Sequence, residues 1–403
     1  MEIDFATPSF DVIPAAGSWR RGYQQALLCA VVLAAYAVSV AAQTTTPAPV
    51  AGSAQSDWTE FHQPNMMRWN AVENVLGVKN VRNLKVKWSY NVGTTPTSSP
   101  TEANGRVYAG AQDGTVYALN ANNGAVLWRY VTGAEVDSAP AVVNGVVYVG
   151  SYDYNMYALN ASDGSKLWSY ATQYNILDSP SVVYGVVYFG GYDGNVYAVN
   201  ADDGTQLWVY NTYYNAGVIG SPAVVNGLVY IGDEAFMYAL NARNGSVRWN
   251  YRNVVYPVDS PAVANGVLYF GDFNNNLTAL DASNGTLLWT FAADAEIFSS
   301  PAVANGIVYF GSQDDNIYAV NASTGVKVWS YQTGGPIGSS PAVANGVVYV
   351  GSSDGNVYAF NAATGVKLWN YTTGGQVVTS PIVANGMVYA TSQDGNIYAF
   401  GLK

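Results

Sequence analysis

Residues 339–371 read SSPAVANGVVYVGSSDGNVYAFNAATGVKLWNY. Pro341 opens a short apolar strand, and Asn345-Gly346 follows it. Asn-Gly between apolar runs is the strongest short-range hairpin signal, because a type I′ turn needs positive φ at both central residues. Val347 to Gly351 is a second strand, Asp354-Gly355 a second turn, and Asn356 to Asn361 a third strand whose residues alternate between two faces. Thr364-Gly365 turns the chain again, and Val366 to Tyr371 is a fourth strand carrying Trp369. Four antiparallel strands in roughly 40 residues make one propeller blade.

The same pattern extends in both directions. Trp stands at 88, 128, 168, 208, 249, 289, 329 and 369, spaced by 40 or 41 residues. A (Ser/Ala)-Pro step stands at Pro100, Pro140, Pro180, Pro222, Pro261, Pro301, Pro341 and Pro381. Two independent markers with one period predict an all-β fold, an eight-bladed β-propeller of four-stranded antiparallel blades. The first turn recurs as Asn-Gly at Asn104, Asn144, Asn226, Asn265, Asn305, Asn345 and Asn385, with Tyr184-Gly185 the exception. The last unit lacks a fourth strand, and Leu84 to Tyr90, with Trp88, supplies it from the other end. A closing strand of this kind removes the open edge that would otherwise invite aggregation. Tyr fills three repeat positions, which account for 22 of the 32 tyrosines as packing between blades.

Composition narrows the function classes. The 403 residues carry 27 acidic and 16 basic side chains, a net charge of −11. That balance argues against nucleic acid as a partner, which needs a basic footprint. One Cys and one His leave no thiolate metal site, no disulfide framework and little His-based catalysis. Residues 1–42 read as a signal peptide or membrane anchor. Ala26 to Ala42 is uncharged and apolar, follows Arg20-Arg21, and ends in a small-residue Val40-Ala41-Ala42. Its 17 residues are also just long enough for a membrane helix. Cys29 reads as a small apolar residue of this segment, because Ala26-Leu27-Leu28 makes a poor lipobox. Residues 43–56 form a Pro/Thr/Ser-rich linker. Residues 57–403 form the propeller, with 57–83 as a lead-in segment and 84–90 as the closing strand. His62 lies in that lead-in and is expected to be structural.

The stretch Ala359-Phe360-Asn361-Ala362-Ala363-Thr364-Gly365-Val366-Lys367-Leu368-Trp369 resembles the tryptophan-docking repeat of quinoprotein alcohol dehydrogenases, A-x-D-x-x-T-G-x-x-x-W, with Asn in place of Asp; Asp281 keeps the acid. The segment Asp57-Trp58…Phe61…Arg68…Glu73…Asn80-Val81…Leu84…Trp88 is similar to that superfamily's N-terminal strand. The resemblance covers 57–403 and implies an eight-bladed propeller buttressed by Trp rings. It extends to non-enzymatic relatives such as the propeller lipoprotein of the outer-membrane barrel assembly machinery. The dehydrogenases bind pyrroloquinoline quinone (PQQ) with a vicinal Cys pair, calcium ligands and a catalytic Asp. This chain has no Cys pair and no position onto which those residues carry over.

What does not repeat is where function is expected. Loops joining second to third strands, and loops between blades, share one face. In blades two to six that face holds Tyr152, Tyr154, Tyr174, Tyr192, Tyr213, Tyr214, Phe236, Tyr256, Phe273 and Phe298, where other blades have Gly, Ser or Asp. Clustered exposed aromatics mark contact surfaces. Two residues before each Pro stand Ser98, Ser138, Asp178, Gly220, Asp259, Ser299, Ser339 and Thr379, expected to ring the channel mouth, with Asp137 near Asp178 and Asp259. The resulting expectation is an extracytoplasmic, monomeric scaffold that binds a protein or glycan through the Tyr-rich face, without a cofactor. It touches a membrane only through its N-terminal segment. A PQQ-dependent alcohol or sugar dehydrogenase with calcium is the alternative; a polysaccharide-acting enzyme using Asp178 or Asp259 is the second.

Overall fold

A computed structural model describes residues 56–62, 66–212, 217–252 and 260–403. The signal or anchor at 1–42, with Cys29, and the linker as far as residue 55 lie outside the described residues. Ser56, placed by sequence at the end of that linker, belongs to the fold. It is buried, its hydroxyl donates to Glu73 Oε2 at 2.7 Å, and its N–H donates to Asn385 Oδ1 at 2.9 Å.

Eight antiparallel blades form the ring. Blade one runs through Thr101–Ala103, Arg106–Gly110, Thr115–Asn120 and Val126–Val131, and six more blades repeat it. Blade eight combines Ile382–Ala384, Met387–Thr391 and Asn396–Gly401 with the outer strand Lys85–Asn91, one residue on from the expected closing strand. Lys85 pairs with Gly401 and Trp88 with Ala399, so the strand after the lead-in shares one sheet with the last three strands. A short 3-10 turn, Val81–Asn83, leads into this strand.

Burial falls off outward along a blade. The third strand Asn356–Asn361 is buried at its four central residues because a neighbouring blade packs on each face, whereas Lys367–Thr372 at the rim is largely exposed. Each rim strand carries a bulge: Ala359 pairs with Trp369, but Phe360 pairs with Lys367. The Trp then reaches across to the next blade. Trp329 Nε1 donates to Ala362 O at 2.9 Å, and its ring lies against Gly365. Gly365 has φ +70°, and a Cβ there would stand 2.7 Å from the Trp329 ring, so both backbone and packing require glycine. All eight tryptophans make this crossing; Trp369 closes the circle by donating to Leu84 O at 3.2 Å. The Asn-Gly turns hold both residues at positive φ, as at Asn104 (53°) and Gly105 (73°).

The lead-in segment does more than precede the closing strand. The structure places it inside the ring, where it touches the inner strands in blade order. Glu102 N–H donates to Trp58 O at 2.8 Å, and Val142 N–H to Thr59 O at 2.8 Å. The Glu60 carboxylate takes the Val182 N–H. His62 Nε2 lies 3.4 Å from Ser221 O. Val263, Val303 and Val343 donate to the carbonyls of Met66, Met67 and Arg68 at 3.1, 2.9 and 3.0 Å. Trp69–Asn70 pairs in parallel with Ala342–Ala344, and Asn70 Nδ2 donates to Val383 O at 2.8 Å. The inner strands of a propeller leave N–H groups facing its channel, and this segment satisfies them.

Candidate functional site

The segment fills the channel below Phe61 and leaves a mouth of about 240 Å³ above it, lined by Asp137, Asp178 and Phe298 among others. Of the residues expected to ring the mouth, Asp178 and Thr379 line it, whereas Ser98, Ser138, Ser299 and Ser339 do not. Those serines are fully buried, and Ser98, Ser138, Ser299 and Ser339 Oγ each accept the N–H of the Gly ending the second strand, as at Gly150 (3.1 Å) and Gly311 (2.6 Å). The residue directly before each Pro also lines the mouth. These residues hand a hydrogen bond around the ring: Ala139 N–H to Ser179 Oγ (3.0 Å), Ser179 to Ser221 (3.0 Å), Ser221 to Ser260 (2.8 Å). The relay continues from Ser300 to Ser340 (2.9 Å), Ser340 to Ser380 (3.0 Å) and Ser380 to Ser99 (3.0 Å). Its sequence signal was the Ser of the Ser-Pro step, which marked the period without disclosing the contact.

Of the three expected mouth carboxylates, Asp137 and Asp178 line the opening, and Asp259 lies outside the described residues. Tyr152 Oη donates to Asp137 Oδ2 at 2.6 Å. Asp178 Oδ2 is shut off from solvent without a partner, and burial raises its pKa to about 8. Beneath the mouth, burial raises Glu60 to about 8, against the Val182 N–H. Burial, then the Arg68 charge, lowers His62 to about 3 and keeps it neutral. Arg68 is fully buried, and its guanidinium is spent on carbonyls: Pro341 (3.0 Å), Pro381 (3.1 Å), Phe61 (2.5 Å) and Ser340 (3.4 Å).

These residues do not fit a quinone carrying several carboxylates. Among the described residues the mouth is lined by hydroxyls, apolar side chains and two aspartates, with no cation to pair with those carboxylates, and the nearby Arg68 is committed below Phe61. Among the described residues no three His, Cys, Asp or Glu side chains are placed to hold a metal ion.

The aromatic face divides into two clusters. Tyr154, Tyr174 and Tyr192 form a ladder, with ring centroids 5.5 Å apart at 14° and then 5.9 Å apart at 31°. They are 44%, 47% and 40% exposed. Tyr154 holds φ 73°, at a turn position filled by Gly114, Gly194, Gly355 and Gly395 in four other blades and by Asn275 and Asp315 in two. Bulky residues rarely adopt that conformation. Phe273 and Phe298 meet edge-on at 4.7 Å beside the mouth. Phe236 sits half-buried at the start of its strand, near Tyr238. Tyr213, Tyr214 and Tyr256 lie outside the described residues.

Ring, split blade and filled channel together define a closed eight-bladed propeller of the quinoprotein-like superfamily. The chain belongs to the PQQ_2 family, described as outer membrane protein assembly factor BamB, whose profile matches residues 75–177, 133–254, 256–339 and 333–403. Among curated proteins none matches the sequence. In structure the chain is similar to BamB from Moraxella catarrhalis, at 20% identity and TM-score 0.69 over 79% of this chain and 100% of that one. It is also similar to quinohemoprotein alcohol dehydrogenase from Comamonas testosteroni, at 18% identity and TM-score 0.75 over 86% and 81%. A computationally designed protein, Ika8, matches at 18% identity and TM-score 0.69 over 77% and 98%. At these identities the likeness is one of fold, and a fold shared with an enzyme, an assembly factor and a design does not assign an activity.

Proposed function

We propose that this chain is a partner-binding scaffold working outside the cytoplasm, and that a protein docks on the loop face of blades two to six. The observation that carries this reading is the ladder Tyr154–Tyr174–Tyr192, led by a tyrosine held in a backbone conformation that the other blades give mainly to glycine. Such strain persists where function maintains it. Stacked tyrosines offer large contact area at small entropic cost, which suits an interface. The family's description as an outer membrane protein assembly factor supports a protein partner over a glycan. Together with the apolar run 26–42, it supports an extracytoplasmic setting.

The test is a triple variant, Tyr154→Ser, Tyr174→Ser and Tyr192→Ser, used as bait beside the wild type on a membrane extract and on a glycan array. Partner capture is expected to fall about tenfold or more, with stability within about 0.5 kcal/mol of wild type. Equal capture by both baits would sink the reading, and binding confined to the glycan array would replace the protein partner with a sugar. The dehydrogenase reading draws support from the fold of the Comamonas enzyme and is opposed by a mouth whose described lining offers no cation to a polycarboxylate. A thermal melt with PQQ and calcium is expected to stay flat. A saturable rise, about 2.7 kcal/mol at 100 times Kd, would put that reading first.

A further inference from the structure

The repeat serves as its own control for the opposite face, which carries the first turn of every blade and the third turn of blades one to seven. In seven blades the first turn places Asn then Gly at left-handed φ; blade three places Tyr184 there, at φ 51° and 89% exposed. Asn accepts this conformation easily and Tyr does not. Blade four departs twice at the same end. Arg243 occupies a third-turn position held elsewhere by Asn122, Ser162, Asp202, Ser283, Ser323 and Ala363. Arg248 precedes Trp249, where the other blades have an aliphatic residue such as Leu167, Leu207 or Leu288, or Lys87 in blade eight. Both arginines are exposed. Among the described residues neither guanidinium has a carboxylate partner.

The two arginines meet at one groove. A cavity of about 900 Å³ lies between blades three and four, walled by Val186, Leu207 and Leu228 and bordered by Arg243 and Arg248. Tyr184 stands two residues before Val186, at the tip of the same hairpin. Leu207 is 50% exposed. On a chain of net charge −11, two unpaired arginines make a local positive island. Paired guanidinium groups beside aliphatic wall, with an exposed tyrosine, favour carboxylates interleaved with apolar side chains, and Arg and Tyr are the residues that anchor interfaces.

We propose that this groove binds an extended acidic segment of a partner protein. Its aliphatic side chains lie on Val186, Leu207 and Leu228, its carboxylates on Arg243 and Arg248, and Tyr184 closes over one end. A long polyanion would gain only the arginine pair and be repelled by the rest of the surface.

The test is fluorescence anisotropy on the intact protein with a fluorescein-labelled peptide of alternating Glu and Leu. The controls are an alternating Lys and Leu peptide and a Glu homopolymer of equal length. The Glu-Leu peptide is expected to bind saturably, and more weakly as salt rises above about 0.15 M. The double variant Arg243→Ser with Arg248→Leu, which restores the residues of other blades, is expected to lose about tenfold in affinity or more. Tyr184→Asn is expected to lose several-fold while its melting temperature holds or rises, which separates recognition from folding. No saturable binding, full affinity in both variants, or equal binding of either control would each overturn the proposal.

Discussion

Each blade lends one carbonyl to the blade before it. Ala362 O accepts from Trp329 Nε1 at 2.9 Å and from Tyr309 Oη at 3.0 Å, and the same double acceptance recurs at Ala201, Ala242, Ala282 and Ala322. The circle is uneven where the split blade closes it. Leu84 O receives Trp369, but Tyr349 Oη is buried with no partner. Tyr309→Phe is therefore expected to cost about 0.5–1.5 kcal/mol, whereas Tyr349→Phe should be neutral or stabilising. Urea melts of the two variants check this, and equal losses would contradict it. The Trp, Gly and Tyr positions were legible because each is a local rule repeated every 40 or 41 residues. The bond from Ser179 to Ser221 was not, because it joins two separate copies of a motif whose spacing reveals only the period.

At the scale of elements, the blades were readable from alternation and turns, and the closing strand from Trp88. The channel segment was not. It makes about one contact per blade, so it has neither the two-residue period of a strand nor the 3.6-residue period of a helix. Its anchor is Arg68, which ties Pro341 and Pro381 of two blades to Phe61 and lies 4.5 Å over the Phe61 ring. Arg68→Met keeps much of the volume but strands those carbonyls, and is expected to cost on the order of 2–5 kcal/mol in chemical denaturation. An unchanged midpoint would show that the segment does not brace the ring. Of the candidate sites, the aromatic face was visible as a break in the repeat. The stacking of Tyr154, Tyr174 and Tyr192 was not, since it depends on how neighbouring loops lean together.

For the whole molecule, the buried acids set a pH dependence. Burial, with the Asp57 charge second, raises Glu102 to about 8, beside Glu60 and Asp178 at about 8. Unfolded, the two Glu release their protons near 4.5 and Asp178 near 3.8; folded, all three do so near 8. The folded state thus holds more protons in between, and stability falls as pH rises through that window, levelling above it. His62 works oppositely. Its pKa drops from 6.5 to about 3, so its contribution rises with pH between those values and is complete above 6.5. From pH 6.5 to 8 the acids act alone, and the melting temperature is expected to fall across that range, less steeply in Glu60→Gln. A melting temperature that climbs there would contradict the assignment.

The path of the channel segment also bears on how the ring can close. Trp58 meets Glu102 in blade one and Asn70 meets Val383 in blade eight, so its contacts reach across 44 residues at first and 313 at last. The segment leaves the ribosome before any blade exists. Because its contacts follow blade order, each successive blade meets the next stretch of the segment. No end of the chain has to be threaded through a finished ring.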